Sequence, residues 1–402
     1  MRELYEHPFF RAFYLPALLF SFALGLLIPV LPLYAASLTD SYGLIGIALS
    51  AEPLGRLIGD IPAGLLLRRY NPKHVMLLGI SLFCVATAAL FFAPGLIFMI
   101  IFRLMAGSGQ AFYGISRHTF AAQAVRLTSR GRALSLLGGL SRGGQLLGPV
   151  LGGAIASQLG LRTAFLFSAA VMLVAIFLIS RYMTSEMAAH EVDGVVKQKG
   201  GWQTLKPSLG GLFTAGSGQV FAQMIRAGRQ ALVPLYAAEV LGLDVAAVGL
   251  IESFAAGVDM SLFYPAGLIM DRHGRKWAIV PSFSLQALGM ALIPFTGHLA
   301  TFVGAVTLIS VGNGLSSGSM MTMGADLAPP ENRGEFLGLW RLVGDLGSSG
   351  GPLIVGGVAE LLTLASTAWY VSATGLLAAL IFYFFVPETR KHEPQPVKQP
   401  AD

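Results

Sequence analysis

Long apolar stretches alternate with short polar segments along almost the whole chain. A membrane-spanning helix needs about 20 predominantly apolar residues, and the pattern predicts twelve such helices. They are expected at about residues 9–36, 43–66, 74–93, 95–118, 132–157, 162–182, 208–236, 245–269, 276–296, 299–323, 335–360 and 364–386. Only helices fit this pattern, because the strands of a membrane barrel are short and alternate in polarity. The predicted fold class is therefore an all-α membrane protein.

The two halves of the chain repeat each other. The segment PLYAA at residues 32–36 returns at 234–238, and PAGLLLRR at 62–69 returns as PAGLIMDR at 265–272. The offset is 202 residues for the first pair and 203 for the second. Each copy holds an even number of predicted spans, so the copies should run parallel, as two pseudo-symmetric six-helix bundles related by an axis along the membrane normal.

Polar segments divide the chain into four predicted parts. These are an N-terminal bundle at 1–182, a cytoplasmic linker at 183–206, a C-terminal bundle at 207–386 and a disordered cytoplasmic tail at 387–402. Lys and Arg accumulate in cytoplasmic loops. With both termini inside, most of the 27 Lys and Arg residues fall on the inner side, and the outer loops hold only Arg162. We expect a multi-pass protein of the plasma (cytoplasmic) membrane. In a bacterium that has two membranes, this is the inner membrane.

Composition excludes a soluble globular protein. Charged residues make up 12% of the chain and the mean hydropathy is +0.67, whereas soluble domains carry about 25% charged residues. The net charge of +6 lies in short loops, so it indicates membrane orientation and no nucleic-acid partner. The seven histidines show no ligand spacing, so we predict neither a metal nor a cofactor. The expected partners are the lipid bilayer, a small-molecule substrate and protons, and we expect a monomer.

Four segments carry a resemblance to a known family. Residues 267–276 read GLIMDRHGRK, residues 25–32 read GLLIPVLP, residues 144–153 read GQLLGPVLGG, and Arg103 opens an R-x-x-x-G-x-G pattern. Together they resemble the loop, first-span, fifth-span and fourth-span signatures of the major facilitator superfamily, in its twelve-span drug–proton antiporter branch. The resemblance covers nearly the whole chain and implies the major facilitator fold. The first half departs from the loop signature, because Arg68 replaces its aspartate.

Charged residues in and beside the predicted spans exchange sign between the copies. A shift of 203 residues superimposes Arg56 on Asp259, Arg142 on Asp345, Arg68 on Asp271, and Arg132 on Glu335. The resemblance implies that the second span packs on the eleventh and the fifth on the eighth. We therefore predict two deep pairs, Arg56–Asp345 and Arg142–Asp259, and two pairs at the cytoplasmic rim, Arg68–Glu335 and Arg132–Asp271. These gating charges would hold the cytoplasmic side shut in the outward-facing state. The alternative is that each charge lines a wet cavity and pairs with nothing.

Glu52, Asp60 and Arg103 are the predicted proton-coupling residues. Glu52 and Asp60 flank Arg56 at spacings of four residues, so all three share one helix face. Proton carriers inside membranes are usually carboxylates. Arg103 resembles the coupling arginine of the family, which implies that it biases a nearby carboxylate between states. A static ladder of salt bridges is the alternative.

A polar face on the seventh span predicts a substrate site. The predicted lining residues are Gln219, Gln223, Arg226, Gln110, Tyr113 and Asn313. The first three recur at spacings of four and three residues, which is one helical face. The matching positions of the first copy are nearly all apolar, so the repeat does not require this polarity. Interhelical hydrogen bonding is the alternative. The arginines favour an anionic or zwitterionic amphiphile over a purely cationic one.

The predicted function is secondary active transport by alternating access. The family resemblance implies proton-coupled export of a small hydrophobic or amphiphilic compound, as in multidrug efflux; residue spacing alone does not. The alternatives within transport are uptake or facilitated transport of an organic anion or sugar, and lipid translocation. A different class would be a membrane-embedded enzyme or a transport-inactive sensor. An enzyme would cluster His, Asp or Ser near one interface, and the sequence shows no such cluster.

Overall fold

The structure, a computed structural model, describes residues 10–124, 127–184, 209–316, 318–329 and 333–389. Within helices it leaves the side chains of 122–124, 127–135 and 209 undescribed. Every regular element in the described ranges is helical, so the all-α prediction is confirmed. Most of the predicted linker and tail lie outside these ranges.

The first half of the chain begins with a π-helical turn at Phe10–Tyr14. It continues with α1 (Leu15–Leu27), α2 (Val30–Ala36), α3 (Tyr42–Leu67), α4 (Pro72–Phe91), α5 (Leu96–Ala124), α6 (Leu127–Leu159) and α7 (Thr163–Tyr182). Helices α1 and α2 share the first predicted span. The break between them falls at Ile28 and Pro29, and proline lacks the N–H that a continuous helix requires.

The second half follows the same plan. It contains α8 (Leu209–Glu239), α9 (Val245–Ser261), α10 (Phe263–Arg272), α11 (Lys276–Leu292), a 3₁₀ turn at Ile293–Phe295, α12 (Leu299–Leu315), α13 (Ser319–Leu327), α14 (Arg333–Leu361) and α15 (Leu364–Phe384). The interruption between α9 and α10 precedes Pro265, which cannot donate to the carbonyl of Ser261. Gly318, the residue before α13, has a φ of +78°, a left-handed conformation that glycine adopts without strain.

Eight helical segments in the described part of the chain are long and apolar enough to cross a membrane. They are Phe10–Ala36, Pro72–Phe91, Leu96–Ala121, Thr163–Tyr182, Val245–Arg272, Lys276–Phe295, Leu299–Leu327 and Leu364–Phe384. The remaining long helices are α3, α6, α8 and α14, and each carries charged residues among its apolar ones. Their lower hydropathy follows from the polar face that each turns toward the centre of the molecule. The number of twelve crossings remains a prediction.

Close helix packing joins the two halves at one end of the molecule. Helix α3 crosses α14 where Gly46 meets Gly356, and a Cβ on Gly46 would lie 2.6 Å from the carbonyl oxygen of Pro352. Helix α6 crosses α9 near Gly249, where a Cβ would lie 2.4 Å from the carbonyl oxygen of Pro149. Neither position has space for a side chain, so glycine permits these backbones to touch.

Polar contacts reinforce the same end, which we call the distal end and define by Ser41, Glu239 and Glu360. The carboxylate of Glu360 accepts from Ser41 Oγ at 3.1 Å and from the backbone N–H of Gly43 at 3.0 Å. The hydroxyl of Tyr42 donates to Glu239. These bonds tie the start of α3 to the ends of α8 and α14, so the distal end is closed in this structure.

Candidate functional site

A cavity of about 700 Å³ lies between the halves and is lined by both of them. Its charged lining residues are Glu52, Arg56, Arg103, Arg142, Arg226, Arg229, Asp259 and Asp345. Its amide-bearing lining residues are Gln110, Gln145, Gln223, Gln230 and Asn313. Ten of the residues predicted from the sequence therefore line one cavity. A volume of this size suits a drug-sized ligand.

The first interdomain contact in the cavity is made by Arg56. Its Nε lies 3.1 Å from Oδ1 of Asp345, and its Nη1 donates to Oε1 of Gln110 at 2.9 Å. Asp345 belongs to α14, so the ion pair crosses from the first half to the second. The structure thus brings together the first predicted deep pair.

The second interdomain contact repeats the first with the charges reversed. Nη1 of Arg142 lies 3.7 Å from Oδ1 of Asp259, which is an ion pair beyond hydrogen-bonding distance. Oδ2 of Asp259 accepts from Nδ2 of Asn313 at 3.0 Å. The repeat superimposes this group on the Arg56 group residue by residue, with Asn313 in the place of Gln110. An amide both donates and accepts, so the same residue type supports either sign of charge.

Arg103 and Glu52 form a buried ion pair on the wall of the cavity. Glu52 also lies 3.7 Å from Nη1 of Arg56, one helical turn along α3. The predicted coupling arginine therefore contacts a predicted proton carrier, and that carrier contacts a residue of the interdomain pair. In the second half the equivalent positions are Ala255 and Val306, so this pair belongs to the first half alone.

Arg341 is a site residue that the sequence reasoning missed. Its Nη2 lies 3.2 Å from Oδ1 of Asp60, and its Nε lies 3.8 Å from Oδ2 of Asp345. It connects the second predicted proton carrier to the interdomain pair. Comparison of the copies passed over it because the equivalent residue is Gly138, which carries no charge to exchange.

A second buried ion pair, between Arg229 and Glu252, was also missed. Its closest atoms, Nη1 and Oε2, are 3.3 Å apart, and the Glu252 side chain is 3% exposed. The equivalent positions in the first half are Leu27 and Leu49. A signal was present, because Arg229 and Glu252 are charges inside predicted spans whose counterparts are both apolar.

Arg226 makes its contacts with residues of its own half of the chain. Its Nη2 donates to Oγ of Ser316 at 2.6 Å, and its guanidinium lies 5.3 Å from the ring centroid of Phe283. Two other predicted substrate residues do not line the cavity in this structure. Tyr113 is 1% exposed and stacks on Phe20 inside the first bundle. Gln219 is buried beside Gly344, where the absent side chain leaves room for its amide.

The predicted rim pairs are not formed among the described residues of this structure. Arg68 and Glu335 are both exposed, and among the described residues no ion pair joins them. Asp271 instead lies 3.1 Å from Nη1 of Arg275, in its own half, and its side chain is 76% exposed. Arg275 also pairs with Asp326 at 3.0 Å. The charge of Asp271 is therefore paired within its own half of the chain. The side chain of Arg132 lies outside the described part.

Two helical bundles with a polar cavity between them and ion pairs that cross it form the kind of midplane site that secondary transporters use. The sequence model of the Major Facilitator Superfamily matches residues 13–216 and 215–401. The chain belongs to the Major Facilitator Superfamily. It is therefore a multi-pass integral membrane transporter and not an enzyme.

Relatives and solved structures agree with this family. An uncharacterized MFS-type transporter of Methanocaldococcus jannaschii is 23% identical over 89% of this chain and 93% of its own length. Multidrug resistance protein 2 of Bacillus subtilis is 25% identical over 70% of this chain and 69% of its own. The crystal structure of a D-xylose-proton symporter matches with a TM-score of 0.74 at 19% identity, covering 94% of this chain and 97% of that one. At this identity the structural likeness concerns the fold.

Proposed function

We propose that this transporter exports a small amphiphilic compound in exchange for protons, by alternating access. The observation that carries the proposal is a chain of alternating charges beside the cavity. It runs from Arg103 through Glu52, Arg56, Asp345 and Arg341 to Asp60. The motifs that resemble drug–proton antiporters support export, as does similarity to a relative named as a multidrug resistance protein.

Coupling would follow because proton carriers and interdomain contacts share partners. A neutral Glu52 would no longer attract Arg103 and Arg56, and a neutral Asp60 would no longer attract Arg341. Arg56 would then act on Asp345 alone, across the interface. Arg341 lies on α14 with Asp345, so the Arg341–Asp60 pair itself crosses the interface, and a neutral Asp60 would remove that attraction between the halves. Protonation would in this way change the attraction between the halves, which is the quantity that alternating access must alter.

The state of the distal end suggests how the halves move. In this structure the distal end is closed, while Arg68 and Glu335 at the opposite end remain apart. We propose that twelve helices cross the plasma membrane with both termini in the cytoplasm, as the distribution of Lys and Arg supports. The distal end then faces outward, this state opens inward, and the rim pairs form when the transporter opens outward. The deep pairs are already present in this state, so under this proposal they are not confined to the outward-facing state, and the rim pairs alone would close the cytoplasmic side.

Proton flux in reconstituted vesicles tests this function. Vesicles with an imposed pH gradient receive cationic, anionic and zwitterionic fluorescent amphiphiles in turn, and the internal pH is recorded. We expect a transported amphiphile to accelerate the collapse of the gradient. Glu52→Gln and Asp60→Asn should each abolish that acceleration, because neither amide takes up a proton.

Asp40→Asn is the matched control, since Asp40 is an exposed carboxylate in the turn before α3. It should leave the substrate-dependent flux unchanged. Flux that survives in both Glu52→Gln and Asp60→Asn would remove these residues from coupling. A gradient that drives the amphiphile in the same direction as the protons would indicate symport instead.

A further inference from the structure

We infer that Arg226 is an anion-binding subsite and that the substrate is an apolar compound carrying one carboxylate or equivalent single negative charge. The inference rests on the proposed function, because it assigns the substrate class of the same cavity. It follows from three observations: the charge balance of the cavity, the surroundings of Arg226, and the apolar part of the cavity lining.

The cavity contains one more cation than anion. Its five arginines, at 56, 103, 142, 226 and 229, face four carboxylates, at 52, 259 and 345 in the main cavity and at 252 in the adjoining pocket. The salt bridges among these described residues involve every one of the arginines except Arg226. The Arg341–Asp60 pair adds no net charge.

The nearest competing carboxylate is already engaged. Asp259 is paired with Arg142 through Oδ1 and with Asn313 through Oδ2. Arg226 is left with Ser316, a neutral partner, and with the face of Phe283. Its Nε is buried and makes no hydrogen bond in the described part of the chain. Arg226 therefore shares the charge of Asp259 with Arg142 and has no carboxylate of its own within ion-pair distance in the described part of the chain. A buried cation that is only partly compensated is costly, so the site favours an anion that enters the cavity.

The first half contributes an apolar part of the cavity lining. Leu24, Leu27, Ile28, Leu31 and Leu49 line the cavity from the first half. Arg226 and Gln223 line it from α8 in the second half. A ligand with an apolar body and one charged end would therefore contact both halves at once. Such a ligand binds both halves only when they adopt the right distance, which links substrate binding to their movement.

The charge balance also limits the charge of the ligand. One uncompensated arginine matches a single negative charge, whereas a dianion would leave excess charge in a confined space. A cationic amphiphile would place its charge beside a cavity that already holds an excess of positive charge. The structure therefore points to a monoanion.

Binding of three matched probes to the purified full-length protein tests this subsite. The probes are 2-naphthoate, 2-naphthamide and 2-naphthylmethylammonium, which share an apolar body and differ in charge. Dissociation constants are measured in detergent at neutral pH without a proton gradient. We expect 2-naphthoate to bind about tenfold or more tightly than either of the others, as an ion pair in a partly desolvated site provides.

The variants separate the subsite from the general charge of the protein. Arg226→Gln should bring the three dissociation constants within about twofold of each other, since only the charge-dependent part of the affinity is lost. Arg226→Lys keeps the positive charge and should retain part of the preference for 2-naphthoate. It therefore shows that a protein substituted at position 226 still folds and binds the probe. Arg69→Gln removes an exposed arginine far from the cavity and should change nothing.

Three results would overturn the inference: equal affinity of the wild type for all probes, no saturable binding of 2-naphthoate, or a preference that persists in Arg226→Gln. Proton coupling is not involved in this measurement. Preference for the carboxylate without proton flux in vesicles would keep the subsite and remove the coupling. Coupled flux of an amphiphile, without a preference for the carboxylate probe, would keep the proton coupling and remove the subsite.

Discussion

At the scale of single residues, the two copies use one amide position for opposite purposes. Gln110 accepts a hydrogen bond from Arg56, and Asn313 donates one to Asp259. An amide has both a carbonyl and an NH₂ group, so it can support a cation or an anion by turning over. The sign exchange between the copies therefore requires no change in the class of supporting residue.

This reversal makes acidic replacements at the two positions unequal. Gln110→Glu places a carboxylate 2.9 Å from an arginine nitrogen, and we expect the melting temperature to stay the same or rise. Asn313→Asp places a carboxylate beside another carboxylate, and like charges at this distance repel. We expect it to lower the melting temperature by several degrees near neutral pH. Equal effects in both variants would contradict the reversed arrangement.

Comparison of the copies found the charges that have a charged counterpart and passed over Arg341, Arg229 and Glu252, which have none. Arg56, Asp259, Arg142 and Asp345 were found because superimposed positions exchange sign. Arg341 was missed because its counterpart is a glycine. Side-chain direction was also beyond the pattern: Tyr113 shares α5 with Arg103 but packs into the bundle, since one helix presents different faces to the cavity and to its own neighbours.

At the scale of elements, glycines and charged residues occupy different parts of the interface helices. On α3, Gly46 provides close contact at the distal end, while Glu52, Arg56 and Asp60 occupy the middle. The repeat and the apolar pattern predicted the helices well, except for the breaks. Where α9 ends and α10 begins depends on the hydrogen bond that Pro265 cannot make, which hydropathy alone does not register.

A larger side chain at the α3–α14 crossing should open the distal end. Gly46→Val would bring its Cβ within 2.6 Å of the Pro352 carbonyl oxygen, so the backbones must separate. We expect a cysteine placed at Leu49, which is buried and lines the cavity one turn below Gly46, to react faster with a membrane-impermeant maleimide in the Gly46→Val protein. The reagent is added outside intact cells that express the transporter.

Gly64→Val is the matched control on the same helix, because nothing lies within 4 Å of a Cβ at Gly64. It should leave the labelling rate at position 49 unchanged. The same rate in the Gly46→Val and Gly64→Val proteins would show that the glycine contact does not hold the distal end closed.

At the scale of the whole molecule, duplication explains how one interface obtained two complementary contacts. In this interface α3 of the first half packs against α14 of the second half. Its equivalent in the second half, α9, packs against α6 of the first half. If the signs differ between copies, both contacts become attractive. The sequence contained the sign exchange, which the repeat offset reveals, and the family resemblance implied which spans face each other. The closed distal end was not predictable, because neither the repeat nor the resemblance specifies at which end the halves separate.

The central claim is that attraction between charges on opposite halves contributes to transport. A double-mutant cycle on Arg56→Gln and Asp345→Asn tests it most directly, because the cycle isolates the energy that the two side chains share. Gln110, Glu52 and Arg341 surround this pair, so neutral replacements disturb the neighbours less than a charge swap would. Rates of substrate-driven proton flux are measured for the wild type, both single variants and the double variant. The account predicts that the double variant loses clearly less than the sum of the single losses, with a coupling of about 0.5–3 kcal/mol. Strictly additive losses would contradict it.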